Sequence, residues 1–337
     1  MKRLSFVQRL ALSCGGAALL LLALFLLGGV DPLDVLRTLA LLSPGVYCLA
    51  LALHLATMAL RAVRFQVLIP RSARPSFRHA LAVAAAHNMA SYVLPLKAGE
   101  ASLILYLRLQ CGTPSGIALA ALLVSRFLDG AALSAGLAVA CTSLGAGGAA
   151  PEWVRGTELV LLLLAVVFLL LSLRGDLLVR ALVIGLRGLH VHRTRLGKAL
   201  LERTGGLALA LRAAGSGWRL SLAALSTAPM WFTIFGFYAL LAREFGVPED
   251  VSFLQRAFGA SLATVFNLLP VNAAAGAGTQ ELGWVTGFHV VGVDQGVALT
   301  SGIGVHLVQL FNIVVMGICA HLAMGVLPRW RMPDPEP

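Results

Sequence analysis

The chain alternates long apolar runs with short polar interruptions, and two of those runs are broken in the same way. Hydrophobic stretches fit to cross a bilayer, which takes roughly 20 residues of helix, fall near 10–30, 44–69, 115–146, 157–173, 219–242 and 296–327. Between the second and third lies segment 79–110, interrupted at Pro95-Leu96-Lys97-Ala98-Gly99-Glu100. Between the fifth and sixth lies its counterpart, 252–292, interrupted from Pro270 through Gly276 and Gly278 to Glu281. Proline removes a backbone donor and glycine lets the chain turn, so each interruption predicts a helix broken at membrane depth. Breaks of that kind are tolerated where protein or a water-lined cavity satisfies the freed backbone groups.

The surroundings of the two breaks also match. Phe77 lies 18 residues before Pro95 and Phe253 lies 17 before Pro270, while Arg126 follows Glu100 by 26 and His306 follows Glu281 by 25. An asparagine precedes each break, Asn88 and Asn267. Three residues after each cation stands a polar group on the same helix face, Asp129 in one half and Gln309 in the other. The pattern predicts an all-α, polytopic transmembrane helical bundle of two inverted halves, each with a broken, re-entrant helix pair. It forms one membrane domain over 1–327, with half one at about 44–173 and half two at about 219–327. A basic cytoplasmic loop, 174–218, joins them, and a proline-rich disordered tail covers 328–337. If the arms of each broken segment cross instead, the number of crossings rises and the sidedness is unchanged.

Composition agrees. The chain is 58% hydrophobic and 12% charged, where a soluble domain carries about 25% charged residues. Its net charge of +11 does not point to nucleic acid, because the basic residues are sorted by side of the membrane. With the N-terminus inside, 20 of the 26 Lys and Arg residues fall in cytoplasmic segments. The outer loops hold Arg37, Arg155, Arg243 and Arg256 against eight acids, so both termini are expected in the cytoplasm. The N-terminal run reads as an uncleaved first span, since no small-residue cleavage site ends a short apolar core. Five scattered cysteines, without a CxxC or a nearby histidine at metal spacing, read as small core residues. No nucleotide, metal-protease or hydrolase motif is present, so no cofactor, metal or catalytic residue is expected.

Few ionisable groups remain inside the membrane: Lys97, Glu100, Arg126, Asp129, Glu281, His87, His289 and His306. Each costs about 2.5 to 3.5 kcal/mol at a helix centre when charged, so such groups pair up and usually face a functional cavity. Arg126 and Asp129, one turn apart, are placed to neutralise each other. Glu100 and Glu281 have no partner nearby in sequence. Each opens a helix, where the dipole favours a carboxylate. Each is therefore either a cap or a cavity carboxylate that takes up a proton or holds a basic group of the other half. His54 reads as a packed helix histidine, and Trp153, Trp218, Trp284 and Trp330 read as interfacial anchors. Leucines at helical spacing in the basic loop fit either a helix lying on the anionic inner leaflet or a solvated loop that sets topology.

These residues carry a resemblance. The run Asn88, Leu94-Pro95, Ala98-Gly99-Glu100 and Leu107, then Ser125-Arg126-Phe127-Leu128-Asp129, then Leu269-Pro270 with Gly276, Gly278 and Glu281, resembles the lysylphosphatidylglycerol synthase transmembrane region. This is a flippase-like domain also found in stand-alone and hopanoid-associated membrane proteins. The resemblance implies a multi-pass protein of a bacterial-type inner membrane that handles amphiphilic lipids, with the broken segments and Arg126 at its cavity. His306 stands where it implies an arginine. The leading expectation is a lipid translocase in which Arg126, Lys97 and the broken helix ends meet an anionic headgroup. The alternatives are an accessory subunit or enzyme for aminoacyl or glycosyl transfer to lipid, working with a partner enzyme of lipid biosynthesis, and an ion-coupled transporter of a small anion.

Overall fold

The computed structural model describes residues 42–94, 99–146, 152–190, 194–268 and 274–326, with a few positions between 33 and 40. The first apolar run, the tail, Pro95, Lys97 and Pro270 lie outside the described residues. Among the described residues there are eleven α-helices: α1 (Pro44–Leu68), α2 (Phe77–Val93), α3 (Ser102–Cys111), α4 (Ser115–Ala146), α5 (Glu152–Leu173), α6 (Gly175–Gly188), α7 (Arg195–Ala214), α8 (Gly217–Glu244), α9 (Phe253–Leu268), α10 (Thr279–Val290) and α11 (Gln295–Val326). Five of them, α1, α4, α5, α8 and α11, are long and apolar enough to cross a membrane. The two broken segments are the hairpins α2–α3 and α9–α10, and the paired phenylalanines Phe77 and Phe253 are the first residues of their first arms.

Helix ends follow local chemistry. Proline at the first position of α1 loses only a donor that would be unpaired there, and the Ser43 hydroxyl accepts from the Val46 N–H at 3.3 Å. Helix α3 stops at Gly112, whose φ of 66° is left-handed, with its N–H bonded back to Arg108.

The two halves are inverted, and the pairing of α1 with α8 shows it. The Ser43 N–H donates to Glu244 at 2.8 Å, the hydroxyls of Thr57 and Thr233 meet at 2.8 Å, and Arg64 Nη1 donates to Thr227 at 3.2 Å. These three rungs run in opposite senses along the two helices, so α1 and α8 are antiparallel. Each is followed by its own hairpin, and the hairpins therefore enter from opposite ends. The packing repeats under the same exchange: α2 lies on α11 and α9 on α4, while α1 touches α4 as α8 touches α11.

Glycines let the hairpin arms close on each other. A Cβ at Gly99 would sit 2.0 Å from the Ala90 carbonyl oxygen. In the second hairpin a Cβ at Gly287 would sit 2.3 Å from the Gly259 oxygen, and one at Gly283 would sit 2.6 Å from that of Leu262. Close backbone approach through small residues is how helices associate where lipid offers no hydrophobic drive.

The basic connection departs from a solvated loop. It forms α6 and α7, which pack on each other, and α7 lies along α4. Leu211 and Ala214 of α7 join Val179 of α6 in the same core cluster as the first hairpin. Leu182, Ile184 and Leu189 stay exposed. Trp218 is exposed with the Arg219 guanidinium over its ring. Trp284 is not an interfacial anchor: it is buried between Tyr238 and Phe288, and its Nε1 donates to Ser301 at 3.2 Å. Its indole packs on the bare backbone of α11 at Gly302, where an added Cβ would sit 2.8 Å from Cδ1.

Candidate functional site: a cavity between the two breaks

At the first break the charged groups form one connected network. Arg126 of α4 binds Glu100 through Nε at 3.0 Å and Nη2 at 2.7 and 2.8 Å, and it reaches Asp129 at 3.2 Å. Glu100 sits in the single turn that leads into α3, so the arginine ties the break to the spanning helix. Asp129 has a stronger partner. Arg64 of α1 holds it with two bonds of 2.6 and 3.2 Å, and the Trp231 indole donates to it at 3.2 Å. A fork of parallel N–H···O bonds is the geometry in which arginine binds a carboxylate best. The pair placed together by sequence spacing, Arg126 and Asp129, is thus the weaker contact of each residue.

The second break is built on the same plan with different chemistry. Glu281 lies at the third position of α10, where one oxygen accepts from the Gly278 N–H at 2.6 Å. Its other oxygen lies 2.5 Å from His306 Nδ1, and His306 Nε2 lies 2.9 Å from the Ala275 carbonyl oxygen. Gly276 and Gly278 have φ of 74° and 80°, values that favour glycine, and Ala275 is left-handed as well at 58°. Gln309, the counterpart of Asp129, joins a neutral network: it accepts from Gln280 at 2.8 Å and donates to Tyr92 and to Tyr238. Asn267 donates to Gln280 at 2.7 Å. Glu100 and Glu281 therefore do have partners, and each partner belongs to its own half. Neither holds a basic group of the opposite half, because each break is folded back onto the spanning helix that follows it.

Between the breaks lies a cavity of about 390 Å³. Of the residues singled out from sequence, Asn88, Glu100, Arg126, Asp129, Asn267 and Gly276 line it. Gly99, Gly278, Glu281 and His306 do not; they hold the breaks in place behind it. Leu133, Phe168, Met230, Phe237 and Ile313 supply apolar lining to the same cavity. His54 also faces the cavity and stacks edge-on against Phe237.

Two residues of this network are not among the intramembrane groups that the sequence picks out, Arg61 and Arg64. Sequence counts both among the 20 basic residues of the cytoplasmic segments, yet Arg64 is 1% exposed and Arg61 lines the cavity. The available signal is their spacing: one turn apart, they stand inside an apolar run that continues to Leu68. Arg61 Nη1 donates to Asn88 at 2.8 Å, and its buried Nε has no partner. Among the described residues no ion pair joins Arg61 to a carboxylate, and no group of three His, Cys, Asp or Glu residues is arranged to hold a metal.

Fold and site together define a helical membrane protein whose two inverted halves meet at a cavity lined by both charged and apolar side chains. The chain belongs to the family described as the lysylphosphatidylglycerol synthase TM region, whose model matches residues 7–317. No curated protein matches it.

Proposed function

We propose that this protein is a lipid translocase whose cavity receives a phosphate-bearing headgroup while the tails remain in lipid. The observation that carries this reading is Arg61. Three guanidinium groups, Arg61, Arg64 and Arg126, meet two carboxylates, Glu100 and Asp129, and both carboxylates are taken by Arg64 and Arg126. Arg61 supplies the excess charge at the cavity, and a phosphate oxygen suits its free N–H groups better than water in an apolar setting. The apolar part of the lining, with Leu133, Phe168 and Ile313, suits the start of a chain, which a small inorganic anion would not need. Family membership supports lipid as the cargo.

The test is transport by the purified chain in vesicles. Anionic phospholipid labelled on one tail is expected to become accessible to an impermeant quencher faster in vesicles with protein than in vesicles without it, with no added donor or nucleotide. Equal rates for anionic and zwitterionic phospholipids with and without protein would sink the proposal. Uptake of free phosphate in their place would replace it with small-anion transport.

Orientation belongs to the same reading. The excess of Lys and Arg on the side of α6 and α7 supports an orientation with that side, and both termini, in the cytoplasm of an inner membrane. The exposed apolar side chains of α6 suit an anionic leaflet. In a background without native cysteines, a cysteine at Arg187 is expected to resist an impermeant thiol reagent in intact cells, and one at Glu249 to react. The reverse pattern would invert the assignment.

A further inference from the structure

The contacts of His306 require one more proton than a neutral histidine and an ionised glutamate carry between them. A carbonyl oxygen only accepts, so His306 Nε2, 2.9 Å from the Ala275 oxygen, must bear a hydrogen and donate it. A neutral imidazole with its hydrogen there presents a lone pair at Nδ1. An ionised Glu281 presents lone pairs as well, and the two atoms stand 2.5 Å apart. That contact is favourable only with a proton between them, whether it resides on the imidazole or on the carboxyl group. The second carboxylate oxygen is already taken by the Gly278 N–H.

The surroundings provide no substitute for the proton. Glu281 is 2% and His306 5% exposed. Of the elements packed around them, α2 presents Tyr92 and His87, α8 presents Tyr238, and α9 and α10 present the neutral Asn267 and Gln280. Both phenols are engaged with Gln309 of α11, His87 is hydrogen-bonded to Ser102, and Arg61, facing the cavity from α1, is bonded to Asn88. Among the described residues no Arg or Lys pairs with Glu281. At the first break the equivalent carboxylate meets Arg126, whose charge is permanent. At the second break the charge is present only when a proton is.

We propose that His306 and Glu281 form a proton-binding site, and that the bound proton keeps the second break docked on α11. Its release leaves a neutral imidazole whose Nδ1 lone pair faces a carboxylate, a repulsive and buried arrangement that is relieved when the 274–278 turn withdraws from Nε2 and the single imidazole hydrogen moves to Nδ1, where Glu281 accepts it. That turn includes Gly276, which lines the cavity and where an added Cβ would sit 2.7 Å from Asn267 Oδ1. Loss of the proton therefore loosens the cavity on the second half alone. The consequence for lipid movement rests on the translocase reading; the proton site does not.

The sign follows from linkage. The docked state binds the extra proton, so docking is fully present at low pH and is lost as pH rises through the titration of the pair. If opening releases one proton, protection of the docked backbone falls by up to about tenfold per pH unit above that point. The measurement is hydrogen–deuterium exchange of peptides covering 274–282 in the purified full chain, from about pH 5 to about pH 9, a range bracketing the ordinary histidine value of about 6.5. Wild-type protein, corrected for intrinsic exchange, is expected to lose protection with rising pH. In Glu281→Gln the amide oxygen still accepts from Gly278 and the amide N–H donates to Nδ1, so no extra proton is needed and protection should be flat. A flat wild-type profile, or a Gln variant with the wild-type slope, overturns the proposal. A second measurement uses only protein that folds as wild type: in a ¹⁵N-histidine spectrum at about pH 5, where the turn is docked, the His306 signal is expected to show a protonated Nε2. A neutral form protonated at Nδ1 at that pH would overturn the site. Neither experiment involves lipid, so their failure is distinct from failure of the vesicle assay.

Discussion

Asp129→Ala is expected to cost the protein about 3 to 5 kcal/mol of stability, the range for removing one partner of a buried ion pair. The reason is Arg64. It is 1% exposed, its fork is directed at Asp129, and among the described residues its one other hydrogen bond goes to the Thr227 hydroxyl. Without the carboxylate a guanidinium that cannot deprotonate is left in an apolar interior, and Trp231 loses its acceptor as well. Sequence spacing alone assigns this cost to the loss of Arg126. The structure reverses the order: Arg126→Gln leaves Asp129 bound to Arg64 and removes a side chain that is 34% exposed, so it should be the milder change. Joint replacement by Arg64→Met and Asp129→Leu should recover most of the loss, because neither charge is then stranded. Unfolding by titration with a denaturing detergent, followed by circular dichroism, measures all three. An Asp129→Ala loss no larger than that of Arg126→Gln would show that Arg64 does not depend on Asp129.

Arg61→Gln is expected to leave the fold intact and to slow lipid movement by about 10- to 100-fold, the equivalent of the roughly 1.5 to 3 kcal/mol of a hydrogen bond to a charged group. Glutamine can still donate to Asn88, the one hydrogen bond Arg61 makes among the described residues. What it removes is the excess positive charge at the cavity. Arg61→Lys should retain part of the rate, since charge remains while the planar fork is lost. The vesicle assay on both variants, with unfolding measured in parallel, separates these outcomes. Unchanged transport in Arg61→Gln would leave the headgroup without its proposed contact.

Much of this molecule is written in local sequence. Proline, glycine and apolar run length place the helices, and α1, α4, α5, α8 and α11 begin and end within a few residues of the runs that predict them. Spacing also exposed the duplication: Phe77 and Phe253 both open a hairpin, and Arg126 and His306 each bind the glutamate one quarter-century of residues upstream that the repeat pairs with them. Periodicity is local, and a repeat is a comparison of one stretch with another, so both can be read without coordinates. Partner choice across helices is another matter. Whether Asp129 binds Arg126, three residues away, or Arg64, 65 residues before it, depends on where α1 crosses α4. That crossing is set by the packing of the whole bundle.

The sequence by itself therefore determined the class, the span positions, the two breaks and the inverted repeat, because hydrophobic length and backbone-breaking residues act within one segment. Only the tertiary structure decided that Arg61 lines the cavity, that Arg64 is the main partner of Asp129, that Trp284 is buried, and that Glu281 rests on a histidine through a contact that needs a proton. Those facts depend on distances between segments far apart in the chain, and on which buried charge has its partner within hydrogen-bond reach.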